Sequence, residues 1–131
     1  MNISELLHSG SKVLKLNRIK THQLDSELVL SSLLKKQRDS LLINLNQNIS
    51  ENIAFNFAKL INRRANREPL AYILKNKEFW SKDFFVDRNT LIPRPETELL
   101  CENIVKIFRD RNVYFLDIGT GSGCIILSIL T

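Results

Sequence analysis

Near the end of the chain, the apolar run Val113-Tyr114-Phe115-Leu116 meets Asp117 and then three glycines at alternate positions, Gly119-Thr120-Gly121-Ser122-Gly123. A second apolar stretch, Cys124-Ile125-Ile126-Leu127, follows at once. Residues 113–116 read as a buried strand, the glycines as a tight turn, and the segment from Cys124 as the start of a helix. Strand, glycine-rich turn and helix make up the opening unit of a doubly wound α/β fold, in which ligands bind at the carboxyl end of the strand. Glycine is needed there because a ligand must lie close against the backbone, and the amides that open the helix then face it. The spacing G-x-G-x-G is not the G-x-G-x-x-G of a dinucleotide site, which would need glycine where Cys124 stands. A phosphate-binding G-x-x-x-x-G-K-[ST] loop is also absent.

Upstream of residue 67 the pattern is helical. Ile3, Leu6, Leu7, Val13 and Leu14 recur at helical spacing, with Gly10 marking an expected break. Leu24, Leu28, Val29, Leu30, Leu33 and Leu34 predict a second helix that runs out in the cations Lys35, Lys36 and Arg38. Ser50 suits an N-cap, and Ile53, Ala54, Phe57, Ala58, Leu60 and Ile61 predict a third helix closed before Pro69. From Glu68 the texture changes. Phe79-Trp80 and Phe84-Phe85-Val86 around Ser81-Lys82-Asp83 predict a short hairpin, and the prolines keep residues 91–95 extended. A further helix starts near Glu96 and Glu98, with Leu100, Ile104, Ile107 and Phe108 as its apolar stripe.

Charge divides along the same line. Residues 1–67 hold eleven Lys/Arg against five Asp/Glu, a net of +6, whereas residues 68–131 hold eight against nine. A basic front suits an acidic partner, an RNA, a ribosome or an acidic protein face, or is simply a solvated helix surface; no aromatic residues interleave the cations as single-strand binding favours. Two cysteines, Cys101 and Cys124, stand in no metal-ligand spacing and form no disulfide framework. The start Met1-Asn2-Ile3-Ser4-Glu5 has neither the basic nor the apolar region of a secretory signal. The last apolar run is interrupted by Asp117 and the glycines, so it is no membrane span. The expectation is a reduced, cytoplasmic protein.

The D-x-G-x-G-x-G pattern resembles the first motif of S-adenosylmethionine-dependent methyltransferases. A longer constellation sharpens the likeness. Arg67-Glu68-Pro69-Leu70-Ala71-Tyr72, then Glu78-Phe79-Trp80, then Leu91-Ile92-Pro93-Arg94-Pro95-Glu96-Thr97-Glu98 stand immediately ahead of the glycine turn. Together they resemble the release-factor-modifying (HemK/PrmC-like) protein-glutamine methyltransferases over residues 67–123, and the helical front resembles that family's substrate-recognition bundle more loosely.

The resemblance implies an α/β chain in three parts: a helical substrate-recognition domain over 1–67, a β-hairpin linker over 68–95, and the start of a Rossmann-like methyltransferase domain over 96–131. It implies S-adenosyl-L-methionine as cofactor, held by Asp117, Gly119, Thr120, Gly121, Ser122 and Gly123, with Phe79, Arg94, Thr97 and Glu98 as cofactor-adjacent candidates and no metal; the plainer alternatives are hairpin core for Phe79, a structural salt bridge for Arg94 and helix-start positions for Thr97 and Glu98. The reaction would be N5-methylation of a glutamine side chain in a peptide-chain release factor during translation termination, with the ribosome as a second partner and neither DNA nor a membrane.

The family's catalytic Asn-Pro-Pro-Tyr segment occurs nowhere in the sequence, and neither does the acidic residue that ends the second strand. The catalytic domain is therefore expected to be truncated at Thr131, with no catalytic residue in the chain and no activity of its own. The alternative is a non-catalytic helical module that binds a release factor or the ribosome. A different α/β nucleotide-binding enzyme fits the motif spacing less well.

Overall fold

The computed structural model describes residues 1–130, which divide into two compact units, Met1–Leu74 and a second that begins at Lys75. The first unit is all helical: α1 (Ile3–Leu16), α2 (His22–Leu34), α3 (Arg38–Ile43), α4 (Glu51–Ala65) and α5 (Leu70–Leu74). Helix α1 opens on a reciprocal cap. The Asn2 side chain accepts from the Glu5 N–H, and the Glu5 carboxylate accepts from the Asn2 N–H, both at 2.9 Å. Ile3, Leu6, Leu14, Val29, Leu30, Leu41, Phe57 and Ile61 form one buried core.

Gly10 does not break α1, which runs through it. A Cβ at this position would come within 2.6 Å of the buried Phe57 ring, so the glycine serves close helix packing instead. The cations after α2 do follow its end, where Lys35 takes a left-handed cap (φ 51°). Arg38 then opens a short helix that the apolar pattern did not reveal. Ser50 stands at the N-cap of α4, but its side chain makes no capping bond. Phe57 and Ile61 are the residues α4 buries, while Ala58 stays exposed.

An ion pair runs through this unit. Arg64 of α4 donates Nε to the Asp25 carboxylate of α2 at 2.6 Å, and Asp25 is only 3% exposed. Beside it Arg63 grips Glu68 with two bonds of 2.7 and 2.8 Å, which tie the end of α4 to the residue before Pro69.

The second unit contains β1 (Lys77–Phe79) and β2 (Lys82–Phe84), paired antiparallel with Phe79 opposite Lys82 and Lys77 opposite Phe84. The hairpin turn falls at Trp80-Ser81, one step earlier than the polar run around Lys82 suggested. Both residues have positive φ, 53° and 57°, as a two-residue loop with the right twist requires. A single 3₁₀ turn (Pro95–Thr97) leads into α6 (Glu98–Phe108), and α7 (Cys124–Ile129) follows the glycine turn. Phe79, Phe84, Cys101 and Cys124 make the buried centre of this unit. On α6 the fully buried position is Cys101, whereas Leu100 and Ile107 of the expected stripe are exposed.

The expected strand at 113–116 is not formed. Residues 113–117 carry no ladder among the described residues, and the only sheet is the two-stranded hairpin. Tyr114 is 102% exposed, and Leu116 and Ile118 are each 86% exposed. The reason is physical: a strand satisfies its amides and carbonyls only through a neighbouring strand, and among the described residues no strand lies beside this segment. The described chain is thus helix-rich and mixed, with one small antiparallel sheet.

Candidate functional site

The glycine turn has the backbone its sequence requires. Gly119, Gly121 and Gly123 all lie in the left-handed region, with φ of 77°, 59° and 78°. A turn bond from the Gly123 N–H to the Thr120 carbonyl, 2.9 Å long, closes the loop onto α7. Around Gly119 and Gly121 an added Cβ would meet nothing within 4 Å. The backbone at these two glycines is therefore bare rather than packed beneath side chains, but the segment it follows, residues 113–116, is not the strand that the motif leads one to expect.

Facing the turn is the proline-bounded loop. Leu91, Pro93, Arg94 and Thr97 line one side of a cavity of about 130 Å³, and Gly119, Thr120, Gly121 and Ser122 line the other. Pro93 is buried and anchors the loop, while Arg94 is exposed and extended (φ −91°, ψ 136°). Local stiffness explains why they meet: two prolines fix φ at both sides of Arg94, so little conformational freedom is left to lose.

Two polar atoms at the turn lack partners. Asp117 Oδ2 and Ser122 Oγ are shielded from solvent, and neither has a hydrogen-bond partner among the described residues. An unpaired buried acceptor costs about 1–3 kcal/mol, so both atoms would gain from a ligand that supplies donors. Thr120 Oγ1 reaches only the Asp117 carbonyl, at 3.4 Å.

Two other candidates are placed elsewhere. Phe79 is buried and packs edge-to-face on Phe84, with ring centroids 6.2 Å apart. The Glu98 carboxylate accepts the Trp80 N–H at 2.9 Å. Glu98 thereby holds the left-handed hairpin turn against the start of α6, a role that no spacing in the sequence announces. Neither residue lines the cavity. Burial raises the Cys101 thiol pKa above its ordinary value, with neighbouring Cys124 adding to the effect. Both cysteines are free. Among the described residues no three His, Cys, Asp or Glu side chains are grouped to hold a metal, and no helix is long and apolar enough to cross a membrane.

Residues 5–74 match the PrmC N-terminal domain family. Over 95% of its length the chain is 38% identical to a release factor glutamine methyltransferase of Nitratidesulfovibrio vulgaris, of which it covers 42%. It is 42% identical, over 98% of its length, to a protein of the same name from Coxiella burnetii, covering 44% of that chain. A bifunctional methyltransferase of Rickettsia typhi is 33% identical over 98% of the chain, which covers 29% of it. The chain spans less than half the length of these relatives.

Proposed function

The chain belongs to the PrmC N-terminal domain family, and from that premise we propose that it carries the recognition bundle, linker and cofactor turn of an S-adenosylmethionine-dependent protein-glutamine N5-methyltransferase acting on a peptide-chain release factor in the cytoplasm. The observation that supports this most is the bare turn facing the Arg94 loop, with Asp117 Oδ2 and Ser122 Oγ unpartnered beside it.

The residues present fit the methionine end of that cofactor. Asp117 would accept from its α-ammonium group. Arg94, exposed and fixed by its prolines, would meet its carboxylate. Gly119 and Gly121 leave the backbone open to it, and Ser122 offers a hydroxyl. When bound, the cofactor supplies a methyl group carried on a sulfonium.

A glutamine amide nitrogen is a weak nucleophile because its lone pair is delocalised into the carbonyl. A transferase must therefore align it and hydrogen-bond its N–H groups as charge develops. The family resemblance assigns that work to Asn-Pro-Pro-Tyr, which this sequence does not contain. The 131-residue chain alone is accordingly expected to transfer no methyl group. A second reading, a release-factor-binding helical module without catalysis, draws support from the self-contained core of the first unit.

A chimera separates the two. The chain is joined to the remaining sequence of the Coxiella burnetii relative and given labelled S-adenosylmethionine and purified release factor. The expected result is label on one glutamine of the release factor with the chimera and none with the chain alone. A folded chimera that binds cofactor yet leaves the release factor unlabelled would refute the enzyme reading.

A further inference from the structure

The first unit carries a second concavity, away from the glycine turn. Helices α1 and α4 start side by side, since the Met1 carbonyl accepts from the Ile49 N–H at 3.0 Å and Asn2 bridges Asn48. Between the two helices lies a trough of about 320 Å³, lined by Ser9, Gly10 and Val13 from α1 and by Ala54, Ala58 and Asn62 from α4. Small side chains keep it open. Its one hydroxyl on α1, Ser9 Oγ, already donates to the Leu6 carbonyl at 2.8 Å, so the trough offers a guest carbon rather than hydrogen bonds on that side. Exposed Leu16, seven residues on from Ser9, and exposed Phe55, three residues before Ala58, extend the apolar surface along each helix.

The rim is cationic. Lys12 stands one turn beyond Ser9, and Lys59 one turn beyond Phe55; both are exposed. Elsewhere in this unit Arg38, Arg63 and Arg64 are matched with Glu27, Glu68 and Asp25. Lys12 and Lys59 have no acidic partner among the described residues. The acids on the same two helices, Glu5 and Glu51, lie in their first turns, and Glu5 is engaged in the cap.

An apolar slot with unmatched lysines at its edge has the complement of an amphipathic acidic segment. We propose that this trough docks an acidic segment of a protein partner, one apolar side chain seated between Gly10 and Ala58 and carboxylates paired with Lys12 and Lys59. The proposal deepens the assignment above and rests on it for the identity of the partner, the release factor. RNA is the lesser fit, because a phosphate backbone has no use for a carbon-lined slot and the two lysines have a single exposed aromatic, Phe55, beside them rather than a run of stacking faces.

The test uses the whole 131-residue chain and purified release factor, with affinity measured at low and at physiological salt. Ala58→Trp fills the slot from an exposed position, and Lys12→Glu with Lys59→Glu reverses the rim. Each is expected to weaken binding about tenfold or more, and only the charge reversal should flatten the salt dependence. On the unaltered chain, amide shifts at Gly10, Ala58 and Lys59 on addition of release factor provide a reading that depends on no variant. Equal binding by all three proteins, with shifts elsewhere, overturns the docking site and leaves the enzyme reading intact. Methylation by the chimera without any binding by the chain does the same. No binding together with no methylation sinks both. Binding to ribosomal RNA that charge reversal abolishes and Ala58→Trp leaves untouched would also overturn the proposal.

Discussion

Replacing Asp25 by alanine is expected to cost the first unit about 3–5 kcal/mol, the usual penalty for stranding one member of a buried ion pair. Asp25 is 3% exposed and receives Arg64 Nε at 2.6 Å, so Asp25→Ala would leave the guanidinium facing a cavity where its carboxylate partner stood. Arg64 also donates to the Glu68 carbonyl, at 3.1 Å, so the loss would spread to the end of α4. Domains of this size hold about 5–15 kcal/mol in all, and the variant should be largely unfolded at moderate urea. Far-UV circular dichroism in a urea series reads this directly. The double variant Asp25→Leu with Arg64→Met removes both charges and should recover most of the loss. Glu27→Ala is the contrast. Its partner Arg38 has a side chain 46% exposed, and the expected change is below about 1 kcal/mol.

The second large effect is expected at the glycine turn. Gly121 has φ 59° with open space where a side chain would go. Valine there would carry a strain of about 1–3 kcal/mol from its left-handed backbone. Its methyls would also fill the volume against which the cofactor is proposed to lie. In the chimera, Gly121→Val should raise the dissociation constant for S-adenosylmethionine at least tenfold, or about 1.4 kcal/mol. The urea midpoint of the first unit should not move. Gly121→Asn separates the two causes, since asparagine tolerates the left-handed region better than valine. An asparagine variant that melts like the parent but still binds weakly would assign the loss to occupied space.

What could be read ahead of the structure was what depends on near neighbours in the chain. Ile3, Leu6 and Leu14 announce α1 because helical spacing is local, and Phe57 with Ile61 does the same for α4. The glycine turn was legible because only glycine takes three left-handed positions in five residues without cost. Features set by distant partners were not. Gly10 looks like a helix break until Phe57 is seen against it. Trp80-Ser81 carries neither Asn nor Gly, the usual mark of its turn, and the Glu98 bond that steadies it spans eighteen residues. Helix α3, six residues long, is too short to show a period. Residues 113–116 have a strand's composition, but a ladder needs a second strand, and composition cannot supply one. Of the residues expected near the cofactor, Arg94 and Thr97 reach the cavity because prolines aim their loop, while Phe79 is drawn into the hairpin core.

Residues 117–123 are proposed to form an open seat for a sulfonium nucleoside. Nuclear magnetic resonance on the isotopically labelled chain, titrated with S-adenosylmethionine, tests it directly. The predicted result is weak, saturable binding in the millimolar range, with the largest shifts at the amides of Gly119, Gly121 and Ser122. Saturating cofactor that leaves those amides still, or moves a set of residues remote from the turn, would contradict it.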